Sequence, residues 1–206
     1  MCLWKPYVSL DVRKRELHDR RYGLLPFFLA GMLDVALPGV TIHDGNEHAY
    51  YYTAASEYAL AAKSIREDAR HALADFVPGI GTKYDQHVRI ASATYYDYYL
   101  LAESFDAWFE GQGKPPFFGK FLSRDDRLRW LQHNLYHALS SCDIYTWWYG
   151  ESIDWWRGPV DEDVVTAVRA ARNCVVNNQT LGLDDELQVA LKRARLEAEQ
   201  VHLRAK

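Results

Sequence analysis

Apolar positions along this chain switch between a helical and a strand period, and the switching predicts helices separated by short strands. Leu24 to Leu37 is an apolar helical stretch with Pro26 in its first turn, where a missing N–H is harmless, and Pro38-Gly39 ends it. Val40 to Asp44 reads as a short strand stopped by Gly45-Asn46. A helix from about Ala54 to Phe76 follows, because Tyr58, Ala62, Ile65, Ala69, Leu73 and Phe76 recur every three or four residues. Pro78-Gly79-Ile80-Gly81 closes it, and Val88 to Tyr96, with β-branched and aromatic residues at its ends, is the second strand. A long loop around Gly111-Gln112-Gly113-Lys114-Pro115-Pro116 comes next.

The second half repeats the alternation. Ser123 and Asp126 form a capping pair that opens a helix with Leu128, Leu131, Leu135 and Leu139 on one face. Asp143 to Tyr149 is the third strand, ended by Gly150. Gly158-Pro159 precedes a helix with Val164, Val168, Ala171 and Val175 facing inward. A final helix within 183–206 begins near Asp184 and carries Leu187, Leu191, Ala194, Ala198 and Val201. Leu3 to Leu10 is a candidate first strand. Strands alternating with helices imply βαβ units on a parallel sheet, here in one α/β domain over 1–206. Three or four such units are about half of an eight-stranded barrel, which takes about 250 residues. The expectation is a partial (β/α) barrel with parallel strands and covering helices. An open doubly wound sheet is the competitor. Gly79-Ile80-Gly81 does not serve as its phosphate turn, since it follows a helix and lacks the third glycine.

Composition narrows the function classes. With 49% hydrophobic and 25% charged residues, the chain can bury a core. The net charge is −4, and the short basic runs Arg13-Lys14-Arg15 and Arg20-Arg21 read as solvated surface, so no nucleic-acid partner is expected. No apolar run reaches a membrane span, and no apolar signal region precedes Asp11 to Arg15. The chain by itself therefore reads as cytoplasmic, with a secreted parent left open if it is part of a longer protein. Cys2, Cys142 and Cys174 are odd in number and widely spaced, which fits neither a disulfide framework nor a zinc ribbon. No cofactor is expected. The unusual feature is 14 Tyr and 7 Trp, most of them just after predicted strands.

Four groups of residues carry candidate chemistry. His43-Asp44-Gly45-Asn46-Glu47-His48 stands at a strand end, where α/β folds place ligand chemistry. Asp44 and Glu47 are either acids of a sugar site or the makings of a turn and a helix cap. A metal reading is weaker, because the spacing is one residue longer than H-x-x-E-H and Gly45-Asn46 discourages the helix that motif needs. In the second group Glu151 follows a strand between Trp147-Trp148-Tyr149 and Trp155-Trp156. Apolar walls disfavour an ionised carboxyl, which suits a general acid, and the aromatic faces suit a sugar ring. The alternative is aromatics packed under helices with Glu151 on a solvated loop. In the third group, Tyr95-Tyr96-Asp97-Tyr98-Tyr99, Asp97 could orient a substrate hydroxyl, while an aromatic rim or core patch is the plainer reading. Fourth, His133 and His137 are one helical turn apart but have no third ligand nearby in sequence, so they read as packing histidines and no metal is expected.

Three segments together resemble known proteins. They are Pro26-Phe27-Phe28-Leu29-Ala30-Gly31-Met32-Leu33, then Asp44-Gly45-Asn46-Glu47 with Ala49-Tyr50-Tyr51-Tyr52, then Tyr145 to Glu151 with Trp155-Trp156. In this order, over about Leu24 to Trp156, they resemble the C-terminal portion of glycoside-hydrolase-like (β/α)-barrel proteins. The resemblance implies a barrel fold, a carbohydrate substrate, and Asp44, Glu47 and Glu151 as site acids. It also implies that the N-terminal strands of such a barrel, with part of its active site, are missing from this chain.

The expectation is a carbohydrate-active protein that, if complete, hydrolyses a glycosidic bond with paired carboxylates. Glu151 would be the general acid in a partly desolvated cleft, with Glu47 or Asp44 as base or nucleophile. Trp147, Trp148, Tyr149, Trp155, Trp156, Asp97 and Tyr50 would contact the sugar. The alternative is a non-catalytic carbohydrate-binding or interaction module built on the same aromatics. Too few βα units to close a barrel would leave a sheet edge open and favour self-association.

Overall fold

A computed structural model describes residues 24–105, 113–154, 156–158 and 160–205 of the chain. Helix α1 (Leu25–Val35) begins with its proline in the first turn and buries Ala30 and Leu33, while Phe27, Phe28 and Val35 remain exposed. Strand β1 (Ile42–Asp44) follows, then a 3₁₀ turn (Glu47–Tyr51). The helix expected over Ala54 to Phe76 is interrupted. Its parts are α2 (Ala55–Lys63), a π-helical turn (Ser64–Ala69) and α3 (Arg70–Phe76). The Glu57 carboxylate accepts the Thr53 and Ala54 N–H groups at 2.6 and 2.9 Å, which satisfies donors that a helix start leaves free.

Helix α4 (Gly81–His87) was not anticipated, because Pro78 to Gly81 reads as a full stop. The expected strand over Val88 to Tyr96 forms as β2 (Val88–Ile90) and β3 (Ser92–Tyr95), and its last residue opens the short helix α5 (Tyr96–Leu100). Helix α6 (Arg124–Ser141) starts at the Ser123 cap, whose hydroxyl accepts the Asp126 N–H at 3.1 Å. Strand β4 (Thr146–Tyr149), α7 (Glu162–Val176) and α8 (Asp184–Arg204) complete the order. The candidate strand at Leu3 to Leu10 and the 106–112 part of the long loop lie outside the described residues.

The strands are parallel. β1 pairs with β2 in the register Ile42–Val88 to Asp44–Ile90, and β3 pairs with β4 from Ser92–Thr146 to Tyr95–Tyr149. One extended segment, 88–95, therefore serves two neighbours and changes partner at Ala91. There the Ala91 N–H still donates to the Asp44 carbonyl at 2.8 Å, while the Ile90 carbonyl already accepts from Asp143 at 2.9 Å. Parallel pairing requires crossovers, and the helices between β1 and β2 and between β3 and β4 supply them. The fold is mixed α/β with two small parallel sheets, and no closed barrel forms among the described residues.

The main core gathers β3, α5, α6 and α8 around Tyr98, Tyr99, Phe117, Trp130, Leu131, Leu187 and Leu191. A second cluster under α1 holds Leu33, Ala69, Leu73, Ile80 and Tyr84. The predicted faces of α7 and α8 are largely the buried ones, with Val164, Ala171, Leu187, Leu191, Ala194 and Ala198 inside, but Val201 is exposed. Helix α6 departs from its expected single leucine stripe. It buries Trp130, His133 and Asn134 as well as Leu131, Leu135 and Ala138, because α8 and the turn after β1 cover it on further sides. No helix among the described residues is long and apolar enough to cross a membrane.

Asp143 ties the two sheets together. Its carboxylate accepts the Ile90 N–H at 2.7 Å and pairs with Arg66 at 2.6 Å. Burial opposes its ionisation, but the Ile90 N–H and the Arg66 and Arg89 charges outweigh that and hold the carboxyl below its usual range. A carboxyl depressed on folding contributes stability above its unfolded pKa of about 3.9 and loses it as pH falls through the folded value. Urea midpoints measured against pH should therefore fall below about pH 4. Asp143→Asn should lower the neutral-pH midpoint and flatten this acid limb. An acid limb of unchanged steepness in Asp143→Asn would remove Asp143 from the account.

Candidate functional site

The C-terminal ends of β1, β3 and β4 come together, and each releases a short segment that carries polar groups. At the end of β1 the Asp44 Oδ1 accepts the Asn46 N–H at 3.0 Å, an Asx turn that reverses the chain. Asn46 takes the left-handed conformation at φ 41°, and its Oδ1 accepts the Tyr52 hydroxyl at 3.1 Å. Gly45 is closely approached by a tryptophan. A Cβ there would meet the Trp147 indole nitrogen at 3.0 Å, and that nitrogen donates to the Gly45 carbonyl at 2.9 Å.

At the end of β3, Asp97 opens α5 and is only 3% exposed. Its Oδ2 accepts the N–H groups of Glu151 at 2.8 Å and Ser152 at 3.1 Å, so a buried carboxylate holds the loop that follows β4. Its Oδ1 is buried without a hydrogen-bond partner. At the end of β4 the Tyr149 hydroxyl donates to Glu151 Oε1 at 2.6 Å. That carboxylate is the main reason the Tyr149 hydroxyl titrates above its ordinary value. Tyr50 lies beneath, with ring centroids 5.1 Å from Tyr95, 5.5 Å from Trp147 and 6.0 Å from Tyr149, the last pair stacked at 22°. Burial, followed by the charges of Glu151 and Asp97, pushes the Tyr95 hydroxyl up to about 12.

The candidate residues separate into groups. Glu151 stands at the strand-end patch through its bond to Tyr149, while Glu47 opens the 3₁₀ turn that carries Tyr50 and Tyr51, and its charge raises the hydroxyls of both after burial. Asp44 builds the turn after β1, and its charge is felt by Tyr84 of the second cluster. Glu151 is exposed, which corrects the expectation of a partly desolvated cleft: Asp97 holds its backbone N–H, and its carboxylate meets the exposed Tyr149 hydroxyl. Trp147 and Trp148 are half-buried against the main core, and Tyr50 is 5% exposed, so these three support the patch from below where an open platform was expected. Asp97 positions backbone where a contact to ligand was expected. Tyr149 is 38% exposed and Trp156 94% exposed, while Trp155 lies outside the described residues. Tyr51, absent from the sequence-based set, is half exposed and packs edge-on against Tyr98 at 5.1 Å.

A second cluster was missed more completely. His133 and His137 do have a third neighbour, Asp184, at the first turn of α8. Burial and the His133 charge push His137 below its ordinary value against the pull of Asp184. Burial works against ionising Asp184, but the two histidines outweigh it and hold the carboxyl low. Nothing near His133 in sequence could signal a residue 51 positions away.

No protein-family model, no curated protein and no solved structure matches this chain.

Asp97→Ala leaves two backbone N–H groups without their charged acceptor, a loss worth about 2–4 kcal/mol. Urea unfolding should register that cost, whereas Glu151→Gln, at an exposed carboxylate, should leave the midpoint nearly unchanged. An Asp97→Ala protein as stable as the parent would mean that the loop is held by other contacts.

Proposed function

We propose that the chain is a carbohydrate-binding protein that uses the aromatic and acidic patch at the C-terminal ends of its parallel strands. The observation that carries this reading is the exposed Glu151 carboxylate bonded to the Tyr149 hydroxyl, beside the exposed rings of Tyr51 and Tyr149. Sugars present apolar C–H faces and equatorial hydroxyls together. A tyrosine ring offers an apolar face and a polar edge, and carboxylate oxygens accept hydroxyl hydrogen bonds. Trp156, seven residues beyond β4 and almost wholly exposed, is a large ring for which burial against a ligand would be favourable. We take the parallel strands as part of a (β/α)-barrel arrangement, in which strand C-termini are the usual location of ligand sites.

Binding is favoured over hydrolysis. A glycosidase acid benefits from desolvation, and Glu151 is exposed and already accepts a hydrogen bond from the Tyr149 hydroxyl. Hydrolysis would have Glu151 donate a proton to the leaving oxygen while Glu47 acts as base or nucleophile on the opposite side of the sugar.

A panel of neutral oligosaccharides titrated into the protein and followed by tryptophan fluorescence tests the reading. Tyr149→Ala and Trp156→Ala should each weaken binding roughly three- to tenfold, the worth of one aromatic contact. Absence of binding to every glycan tested, or binding indifferent to both substitutions, would sink it. Turnover of aryl glycosides that drops by about 10²–10⁴-fold in Glu151→Gln would replace binding by hydrolysis as the function.

A further inference from the structure

Helix α6 presents two imidazoles one turn apart, with ring centroids of His133 and His137 separated by 4.4 Å. The first turn of α8 brings Asp184 against both. Its Oδ1 lies 3.1 Å from His133 Nε2 and 3.2 Å from His137 Nε2. Taking one donor atom from each residue, all three fall within 4.8 Å of one another. In a tetrahedral site with bonds of about 2.0–2.2 Å, neighbouring ligand atoms are roughly 3.3–3.5 Å apart. Two of the three edges are therefore within a few tenths of an ångström of that spacing before any ion is considered. The donors stand on helices of 18 and 21 residues, one of them capped, so their positions are set by rigid elements.

The surroundings fix which nitrogen faces inward. The Asn134 amide nitrogen donates to the Tyr52 carbonyl at 2.7 Å and to the Tyr99 hydroxyl at 2.8 Å. A carbonyl only accepts, so the amide orientation is determined, and Asn134 Oδ1 faces His133 Nδ1 at 2.8 Å. His133 therefore carries a proton on Nδ1 and turns Nε2 toward Asp184. An outer hydrogen bond that selects the ligating nitrogen of a histidine is a regular feature of metal sites. The Nε2 of His137 is buried and makes no hydrogen bond of acceptable geometry, despite the nearby Asp184 oxygen. Tyr58, 2% exposed and with its hydroxyl also unpartnered, stacks on the His137 ring at 5.9 Å. A buried polar atom without a partner is costly, and the unpartnered Nε2 of His137 faces the Asp184 oxygen at 3.2 Å.

We propose that His133 Nε2, His137 Nε2 and a carboxylate oxygen of Asp184 bind one divalent first-row transition-metal ion. Two imidazoles with one carboxylate suit zinc, cobalt or iron(II) and not calcium or magnesium, which take oxygen ligands. Three protein ligands leave at least one coordination position open. The His137 ring also borders a surface groove of about 530 Å³ together with Tyr58, Lys63, Glu67 and Cys142. This site is separate from the strand-end patch and does not depend on it.

The test uses the full chain, stripped with chelator, dialysed, and titrated with Co²⁺ alone and then with Zn²⁺ as competitor. One equivalent of Co²⁺ should give visible d–d absorption that Zn²⁺ abolishes. At a hundredfold excess of Zn²⁺ over its Kd the melting temperature should rise by roughly 5–10 °C. His133 is wholly buried and its replacement risks unfolding, so the half-exposed Asp184 and the partly exposed His137 carry the comparison. Asp184→Asn and His137→Ala, each checked for a native circular dichroism spectrum, should weaken Co²⁺ binding at least tenfold. Absence of the Co²⁺ spectrum in the parent overturns the proposal. So does an affinity that both substitutions leave unchanged, which would put the ion on other histidines.

Discussion

The carbonyl oxygen of Tyr52 is the point on which the arrangement turns. It lies inside the protein at the end of the 3₁₀ turn after β1, and a buried carbonyl must be paired. Two donors meet it, the Trp130 indole N–H at 3.0 Å and the Asn134 amide at 2.7 Å, both from α6. Because they stand on one helix four residues apart, they fix the rotation and the height of α6 against the turn. The second amide hydrogen of Asn134 goes to the Tyr99 hydroxyl, which donates in turn to the Tyr50 carbonyl at 3.4 Å. A single network thus joins the segment after β1, the helix after β3 and the long helix α6. In a low-dielectric interior such a network is worth having only when every member is satisfied. Here each member of the network is paired, whereas the Tyr58 hydroxyl and His137 Nε2 are among the buried polar atoms that have no partner.

Both candidate sites depend on this register. On one side of α6 the turn after β1 delivers Tyr50 and Tyr51 beneath and beside the strand ends, where Tyr95 and Tyr149 meet them. On the other side His133 is held by Asn134 and faces α8. Further polar contacts fasten α8. Gln188 donates to the Thr53 carbonyl, and Arg195 donates to the Thr53 hydroxyl at 3.0 Å. The terminal helix is therefore docked by specific polar contacts as well as by Leu187, Leu191 and Ala194 in the core.

The parallel sheets are small for a physical reason that the chain makes visible at Ala91. Residues 88–90 pair with β1 and 92–95 with β4, so neither pair extends beyond four residues. What such short ladders lack in hydrogen bonds is supplied by side chains. Asp143 caps the Ile90 N–H on one sheet, and Trp147 reaches across from β4 to the Gly45 carbonyl beyond β1. Trp147 is thus committed to joining the two pairs, which is why it does not stand open to a ligand.

The sequence alone determined the elements whose signal is local. Apolar spacing located α1, α7, α8 and the 55–76 helix, β-branched and aromatic runs located the strands, and Ser123 with Asp126 marked the start of α6. It also showed that acids and aromatic rings follow strands. Tertiary structure decided what those residues do. A carboxylate after a strand looks the same in sequence whether it is buried against two backbone N–H groups, as Asp97 is, or exposed, as Glu151 is. Period-two alternation could not say that Trp147 would spend its N–H on Gly45, nor could any spacing within α6 bring in Asp184. Burial and lone-pair direction depend on which helix packs on which, and that packing is set by contacts between residues far apart in the chain. The local pattern fixes each element, while the environment of each polar group exists only after the elements have met.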